Sequence, residues 1–214
     1  MLSTRSEVGT THAPTTAVRP ERAGLAGDLR ADRVGLRPIA GRDASRWEQL
    51  RNANVDWLVS WESTRPPESK DRNTGYRALT ADLVRQGKSG RSLPFVVTYD
   101  DLMVGQLTVT GITWGSARWA QMGYWIDQAY AGRAIIPTAV ALACDHCFFT
   151  MGLHRIEIAI RPENEASLRV VDKLGFRAIG LAPSYLHING RWRDHLLFAL
   201  TVDEVETRVL KRLG

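Results

Sequence analysis

The feature that most constrains this chain is a junction at which a β-strand passes directly into a long apolar helix. The junction spans residues 124–137 and reads YWIDQAYAGRAIIP. Its aromatic start predicts the end of a strand, the small residues around Gly132 predict a turn, and Pro137 suits a first helical turn because it lacks an N–H. The first amides of a helix are unpaired and lie at its positive end, so such a junction is typical of an anion-binding cradle. A plain strand-turn-helix connection has the same pattern, and the junction alone leaves both interpretations open.

A second segment about thirty residues later narrows the choice. Residues 161–176 read RPENEASLRVVDKLGF and predict a strand end followed by a short helix that stops at Gly175. Together the two segments resemble the GNAT acetyltransferase superfamily. The resemblance implies that the first loop holds the pyrophosphate of acetyl-CoA and that the helix after Asn164 lies along the pantetheine arm. Ala131 stands where this family usually has Gln or Arg, and Ala134 stands where it usually has a glycine.

Two further runs indicate a branch of that superfamily. Residues 54–62 read NVDWLVSWE, and residues 185–195 read YLHINGRWRDH. From about Val34 to Val205 the chain is similar to the RimJ/RimL branch of ribosomal-protein alanine N-acetyltransferases, and the RimJ type fits best. The resemblance implies direct transfer of an acetyl group from acetyl-CoA to the N-terminal α-amine of a protein. A ribosomal protein that begins with Ala, Ser or Thr is the expected acceptor.

The resemblance also implies roles for individual residues. Glu62 is the candidate general base, and Ser167 is the candidate proton donor to the departing CoA thiolate. His187 and His195 are alternatives for the base because imidazole titrates near neutral pH. The implied cofactor-binding residues are Trp125, Ile126, Ala131, Gly132, Arg133, Ala134, Ile135, Asn164 and Ser167. The expected acceptor contacts are Trp61, Tyr185, Trp192 and Asp194.

Each of these assignments has a structural alternative. Glu62 in a loop is equally compatible with a solvated carboxylate, and Asn164 with a plain helix N-cap. Aromatic residues at such positions also pack between sheet and helix. For Asp194 the alternative is an ion pair with an arginine.

The two cysteines of the chain invite a metal or redox interpretation. Cys144 and Cys147 form a C-x-x-C pair around His146, but no second ligand pair follows at suitable spacing. Val140 and Phe148 extend the same spacing of three and four residues, which is the pattern of a buried helix face. We therefore expect core thiols and no metal.

Length and composition indicate one domain. The chain has 214 residues, of which 44% are apolar, and a formal charge of +5. Residues 1–32 are poor in large apolar side chains and predict a disordered tail, which leaves residues 33–214 as the domain. We find no secretory signal and no run of eighteen apolar residues, so a cytoplasmic protein is expected. The positive charge suits an anionic cofactor or an RNA-rich neighbourhood but does not identify either.

The order of elements predicts the architecture. Strands are expected over 34–39, 95–99, 104–110, 119–126, 155–160 and 196–201, with helices over 43–54, 70–86, 137–151, 166–173 and 202–213. Asp43 is a plausible N-cap of the first helix, and Asn189-Gly190 predicts a hairpin turn. The fold class is α/β in the GNAT arrangement, a mixed and mostly antiparallel sheet with helices on both faces. The strands that end at Ile126 and Ile160 should run parallel and splay apart to form the acetyl-CoA cleft.

Several alternatives for the function stay open at this level. The chain could acetylate a small-molecule amine through the same cradle, or it could be a non-catalytic acyl-CoA-binding module. An RNA-binding role rests on net charge alone, because no aromatic-basic motif accompanies it. No direct nucleic-acid motif or membrane segment is expected, and the chain could be a monomer or a homodimer.

Overall fold

An eight-stranded sheet forms the centre of the protein in a computed structural model that describes residues 28–68 and 75–214. The strands are β1 (Leu29–Ala31), β2 (Val34–Pro38), β3 (Leu93–Tyr99), β4 (Leu102–Thr113), β5 (Trp119–Ile126), β6 (Arg155–Ile160), β7 (Arg177–Ile188) and β8 (Arg191–Thr201). The helices are α1 (Ala44–Ala53), α2 (Val55–Leu58), α3 (Tyr76–Lys88), α4 (Ile135–Asp145) and α5 (Glu165–Lys173).

The sheet has the order β1-β2-β3-β4-β5-β6-β8-β7, and its neighbours are antiparallel except for β5 and β6. These two strands pair only at their starts, where Trp119–Gln121 faces Arg155–Glu157. Beyond Gln121 and Glu157 the two strands share no ladder, so their carboxyl ends diverge. The predicted fold class and the splayed parallel pair are confirmed.

Helices cover both faces of the sheet, as the alternation of side chains along β3 illustrates. Phe95 and Val97 belong to the core that contains α4 and α5, whereas Val96 belongs to a second core with Trp47 and Leu50 of α1. Successive residues of a strand point to opposite faces, so one strand contributes to both cores. No helix within residues 28–68 and 75–214 is long and apolar enough to cross a membrane.

Most element boundaries differ little from the sequence-based expectations, but the first strand and the C-terminal segment differ more. Leu29–Ala31 forms an edge strand paired with β2, so ordered structure begins before the predicted boundary at residue 33. Residues 1–27 of the predicted tail and residues 70–74 of the second predicted helix lie outside the described residues. Instead of one helix over 202–213, the chain forms two short 3₁₀ turns, Val202–Glu204 and Val209–Leu213.

The terminal segment is held by side chains from elsewhere. The Asp145 carboxylate accepts the N–H groups of Val209 (2.7 Å) and Leu210 (3.3 Å), which fixes the start of the last turn. Extended backbone at Val205 separates the two turns. A helix of this length is marginal in isolation, so distant contacts decide its conformation.

Asp43 occupies the N-cap position of α1, as predicted, but its side chain makes no capping hydrogen bond. Its carboxylate instead accepts the N–H of Ala40 (2.8 Å) and pairs with the guanidinium of Arg37 (2.7 Å). Burial alone would raise the pKa of Asp43, but the hydrogen bonds from Arg37 and Ala40 outweigh it and lower the pKa below its ordinary value. The residue ties the turn before α1 to β2.

Candidate active site

A cavity of about 870 Å³ opens where β5 and β6 diverge. The ends of both strands form its floor, and the first turns of α4 and α5 form one wall. Residues of the segment from Trp57 to Ser63, together with Leu186 and His195, also line it. Ligand sites in open α/β sheets lie at diverging strand ends, and this volume is in the range of small-molecule sites.

The junction that dominates the sequence forms a backbone cradle in this cavity. The amide groups of residues 132–136 donate to no acceptor among the described residues, and they surround the start of α4. Gly132 has a φ of +77° with open space around its α-carbon. Pro137 occupies the third helical position rather than the first, where a missing N–H is still harmless. Unpaired amides at a helix start suit a phosphate group, so the cradle fits the pyrophosphate of acetyl-CoA.

Ala134 adopts a conformation that explains why glycine is usual at this place in the family. Its φ and ψ are +57° and 13°, which is the left-handed region. A side chain there costs roughly 1–2 kcal/mol relative to glycine. The chain accommodates the methyl group without losing the cradle.

The end of β5 directs one amide into the gap. Asp127 donates its N–H to Val104 of β4 (2.8 Å), so by the alternation of a strand Trp125 also faces β4. The N–H and carbonyl of Ile126 therefore face the opening left by β6, and the Trp57 indole already donates to that carbonyl (3.1 Å). Of the two predicted amides, Ile126 is the one free for a ligand. Trp125 contributes to the cavity through its side chain.

Two hydroxyl groups lie near each other where α5 faces β5. Asn164 caps α5 by accepting the N–H of Ser167 (3.1 Å), which turns the Ser167 side chain toward the cavity wall. The Tyr124 hydroxyl is buried and has no hydrogen-bond partner among the described residues. Burial raises the pKa of Tyr124 to about 12, against a smaller lowering influence from Ser167. Tyr124 therefore remains a protonated donor beside the predicted proton donor.

Glu62 also lines the cavity and is engaged in an ion pair with Arg51. The Arg51 guanidinium is enclosed between the rings of Trp47 and Trp125, at 5.4 and 5.3 Å from their centres. Burial lowers the pKa of Arg51 from its ordinary value. The Glu62 carboxylate therefore already has a cationic partner within the protein.

The segment that carries Trp61 and Glu62 is held in place at both ends. Arg161 donates to the carbonyl of Ser60 (2.5 Å), and its guanidinium lies 5.4 Å from the centre of the Trp61 ring. On the other side, Thr64 donates its N–H to the carbonyl of His187 (2.7 Å). Trp61 is 36% exposed and lines the mouth of the cavity.

The two candidate histidines have different surroundings. His187 contacts Thr64 through Nδ1 (2.8 Å to the hydroxyl) and does not line the cavity. His195 lines the cavity, and its Nδ1 lies 3.0 Å from the carbonyl of Arg193. Burial, the largest influence, lowers the pKa of His195 from its ordinary value.

Four residues expected in the site do not line the cavity. Arg133 extends outward over Tyr130 (5.1 Å) and donates to the carbonyl of Ala129, so only its amide belongs to the cradle. Trp192 is 57% exposed beside His187.

The other two have structural roles on the β7–β8 hairpin. Tyr185 accepts a hydrogen bond from Gln121 (3.0 Å) and packs against His195. Asp194 accepts the N–H of Ser184 (2.8 Å), where β7 has a register shift.

Sequence reasoning did not assign several residues of the cavity wall to the site. Among them are Arg51, Trp57, Tyr124, Arg161 and Leu186. Alternation along β5 was the one available signal, because it places Tyr124 and Trp125 on opposite faces of the sheet. Arginines and leucines at isolated positions carry no such signal.

The cysteine pair is part of the core. Cys144 and Cys147 are fully buried free thiols, and burial raises the pKa of Cys147 to about 12. Among the described residues no group of three potential metal ligands comes together.

Comparisons with known proteins identify the family of this chain. The family described as "Acetyltransferase (GNAT) domain" matches residues 33–177. The probable N-acetyltransferase YjcK of Bacillus subtilis is 30% identical over 173 residues, 80% of this chain and 96% of that protein. The ribosomal protein uS5-alanine N-acetyltransferase of Escherichia coli is 31% identical over 178 residues, 82% of this chain and 91% of that protein.

Among solved structures, Mycobacterium smegmatis RimJ in complex with CoA-disulfide is 38% identical, with a TM-score of 0.81. The match covers 90% of this chain and 94% of that one. The diverging strands, the cradle and these relatives lead to one conclusion. The chain belongs to the GNAT family of acetyl-CoA-dependent N-acetyltransferases, and ribosomal-protein alanine N-acetyltransferases are among its relatives.

Proposed function

We propose that this enzyme transfers the acetyl group of acetyl-CoA directly to the N-terminal α-amine of a protein, with a ribosomal protein beginning with Ala, Ser or Thr as the acceptor. The observation that carries the proposal is that the unpaired amides at residues 132–136 and the side chains of Trp61 and Glu62 belong to one cavity. A donor and an acceptor can thus share the space where β5 and β6 diverge. A cytoplasmic location belongs to the proposal, because ribosomal proteins and acetyl-CoA meet there.

On the donor side, the cradle binds the pyrophosphate and the Ile126 N–H receives the oxygen that becomes negatively charged when the thioester is attacked. Ser167 lines the same cavity and is assigned to donate a hydrogen bond or a proton to the departing thiolate, with Tyr124 as a second hydroxyl nearby. A thiol has an ordinary pKa near 8.5, so its thiolate leaves with modest assistance. Loss of the Ser167 hydroxyl should therefore slow the reaction less than loss of the cradle.

On the acceptor side, the chemistry favours an α-amine over a lysine. At pH 7 about 10% of an α-amine with a pKa near 8 is neutral, compared with about 0.04% of a lysine amine near 10.4. Only the neutral amine attacks the thioester. We assign Glu62, held by Arg51, to the electrostatic attraction of the protonated acceptor at the cavity mouth.

The donor half of the proposal is tested by calorimetric titration with acetyl-CoA. Gly132→Asp introduces a negative charge into the cradle and should abolish micromolar binding. Gly190→Asp is the matched control, because Gly190 has the same φ of +77° but lies in the β7–β8 hairpin turn, away from the cavity. Equal loss in both variants would point to damaged folding rather than to a phosphate site.

The acceptor half is tested by following CoA release with peptides that begin with Ala, Ser or Thr. The same peptides with a blocked N-terminus and an internal lysine should be inactive. Turnover with spermidine or another small amine, but not with the peptides, would favour a small-molecule acetyltransferase. Binding of acetyl-CoA without turnover of any acceptor would favour the non-catalytic module.

A further inference from the structure

His195 lines the cavity, and only one of its two ring nitrogens has a hydrogen-bond partner among the described residues. Its Nδ1 lies 3.0 Å from the carbonyl of Arg193, and a carbonyl oxygen can only accept a hydrogen bond. Nδ1 must therefore carry the proton, so in the neutral ring Nε2 carries a lone pair. No group among the described residues bonds to Nε2, although the residue is only 3% exposed. The imidazole is thus arranged as a proton acceptor.

The surroundings of His195 keep the ring neutral and fixed. His195 lies beside the end of β6, because the adjacent Leu196 pairs with Ile160. The centres of the Tyr185 and His195 rings are 5.6 Å apart. Burial lowers its pKa, Arg161 acts in the same direction, and the Arg193 carbonyl, Glu163 and Asp194 oppose them. The balance is a lowered pKa, so the neutral form prevails at pH 7.

Glu62, the other candidate for the base, already has a partner for its carboxylate. Its carboxylate is occupied by the buried Arg51 guanidinium, and its side chain is 45% exposed. An acceptor amine would have to displace Arg51 before Glu62 could take its proton. The two candidates therefore differ in what they can do, although both line the same cavity.

We propose that His195 Nε2 is the general base of the acetyl transfer, an inference that rests on the function proposed above. Nε2 accepts one proton from the acceptor ammonium. The freed amine lone pair forms the C–N bond at the thioester carbonyl, the C–S bond breaks with its electron pair on sulfur, and a second amine proton passes to that thiolate. His195 then returns its proton to solvent, and the products are the acetylated amine and CoA with a thiol.

The primary test compares His195→Gln with Glu62→Gln, using acetyl-CoA and the Ala-, Ser- and Thr-started peptides. We expect His195→Gln to lower kcat/KM by about 10²–10⁴-fold with an unchanged Kd for acetyl-CoA. Glu62→Gln should raise the KM for the peptide more than it lowers kcat. His154→Gln is the control for a histidine that is 48% exposed in its side chain and lies outside the cavity, and it should behave as wild type.

A second variant separates chemistry from structure. His195→Ala should regain activity with added imidazole, and the rescue should follow the neutral fraction of imidazole as the pH is varied. A purely structural role for His195 would not produce this pH dependence. The ¹⁵N NMR signals of the wild-type ring give a test that needs no variant, with Nδ1 protonated and Nε2 bare.

Three results would overturn the proposal. The first is near-wild-type turnover in His195→Gln while Glu62→Gln loses turnover. The second is a protonated Nε2 in the neutral wild-type ring. The third is an absence of imidazole rescue in a folded His195→Ala variant. A wild-type chain that binds acetyl-CoA but acetylates none of the peptides would instead remove the proposed acceptor, and this role of His195 with it. Activity of the wild type therefore distinguishes the two failures.

Discussion

Replacing Ala134 by glycine should stabilise the protein, although glycine in place of alanine destabilises the interior of a helix or strand. Ala134 has a φ of +57° in the left-handed region, where a Cβ costs roughly 1–2 kcal/mol and glycine has no such penalty. The bonds that hold this turn use its backbone, since the Ala134 carbonyl accepts the N–H (3.2 Å) and hydroxyl (2.9 Å) of Thr138. The substitution removes the strain and keeps these bonds. We expect the free energy of unfolding to rise by about 1 kcal/mol after the greater freedom of glycine in the unfolded chain is included.

Urea denaturation of the full chain measures this change, and thermal unfolding should show a Tm increase of about 2–4 °C. Ala131→Gly is the matched control three residues earlier, because Ala131 has a φ of −63° and a ψ of 154° that any residue adopts. That variant should lose about 0.5–1 kcal/mol. The two substitutions should therefore change the free energy of unfolding in opposite directions.

Equal destabilisation by both glycine variants would refute the assignment of strain to Ala134. A stabilised Ala134→Gly that binds acetyl-CoA more weakly than wild type would refute a second part of the reasoning, namely that the methyl group contributes nothing to the phosphate site. The expected result is binding at least as tight as wild type, because the amides stay in place and the loop loses only a methyl group.

Three further predictions concern the frame of the site. Gly105→Ala should cost about 2–3 kcal/mol of unfolding free energy, because its new Cβ would lie 2.3 Å from the Trp125 carbonyl oxygen, whereas Gly123→Ala on the facing strand meets nothing within 4 Å and should not destabilise. Asp43→Asn should cost about 2 kcal/mol of unfolding free energy at pH 7. Because the pKa of Asp43 is lowered in the folded protein, its carboxylate stabilises the fold above the ordinary pKa near 3.9, and this stabilisation is lost as the pH falls through the folded pKa. The wild type and Asp43→Asn should therefore converge in stability in acid denaturation profiles. Trp47→Phe leaves the Gln106 Oε1 without the indole donor 2.6 Å away and should cost about 1–3 kcal/mol in urea, and a change below about 0.5 kcal/mol would contradict a buried hydrogen bond there.

Local chemistry explains why the sequence predicted the donor side. Residues 124–137 contain their own strand end, turn and helix start, and the cap of α5 needs only Asn164 and the amide of Ser167 three residues later. The strands over 119–126 and 155–160 were predicted with their observed bounds because their patterns are regular and uninterrupted. Interactions of this range are encoded in neighbouring residues, so a single sequence is enough.

The acceptor side depends on contacts between segments far apart in the chain. His195 and His187 could not be told apart by residue type, and the register shifts along β7 prevent counting which side of the hairpin faces the cavity. Tyr185 and Asp194 hold the hairpin in shape instead of lining the site. Glu62 became less suitable as a base only once the fold placed a buried Arg51 beside it.

By itself, then, the sequence determined the fold class and the acetyl donor and predicted a phosphate cradle at the start of α4, since these follow from short-range patterns of turns, caps and strands. Only the tertiary structure decided which polar side chains share the cavity and in what protonation state. The physical reason is that burial, hydrogen-bond partners and neighbouring charges set the basicity of a side chain, and these are properties of the packed chain rather than of any one segment.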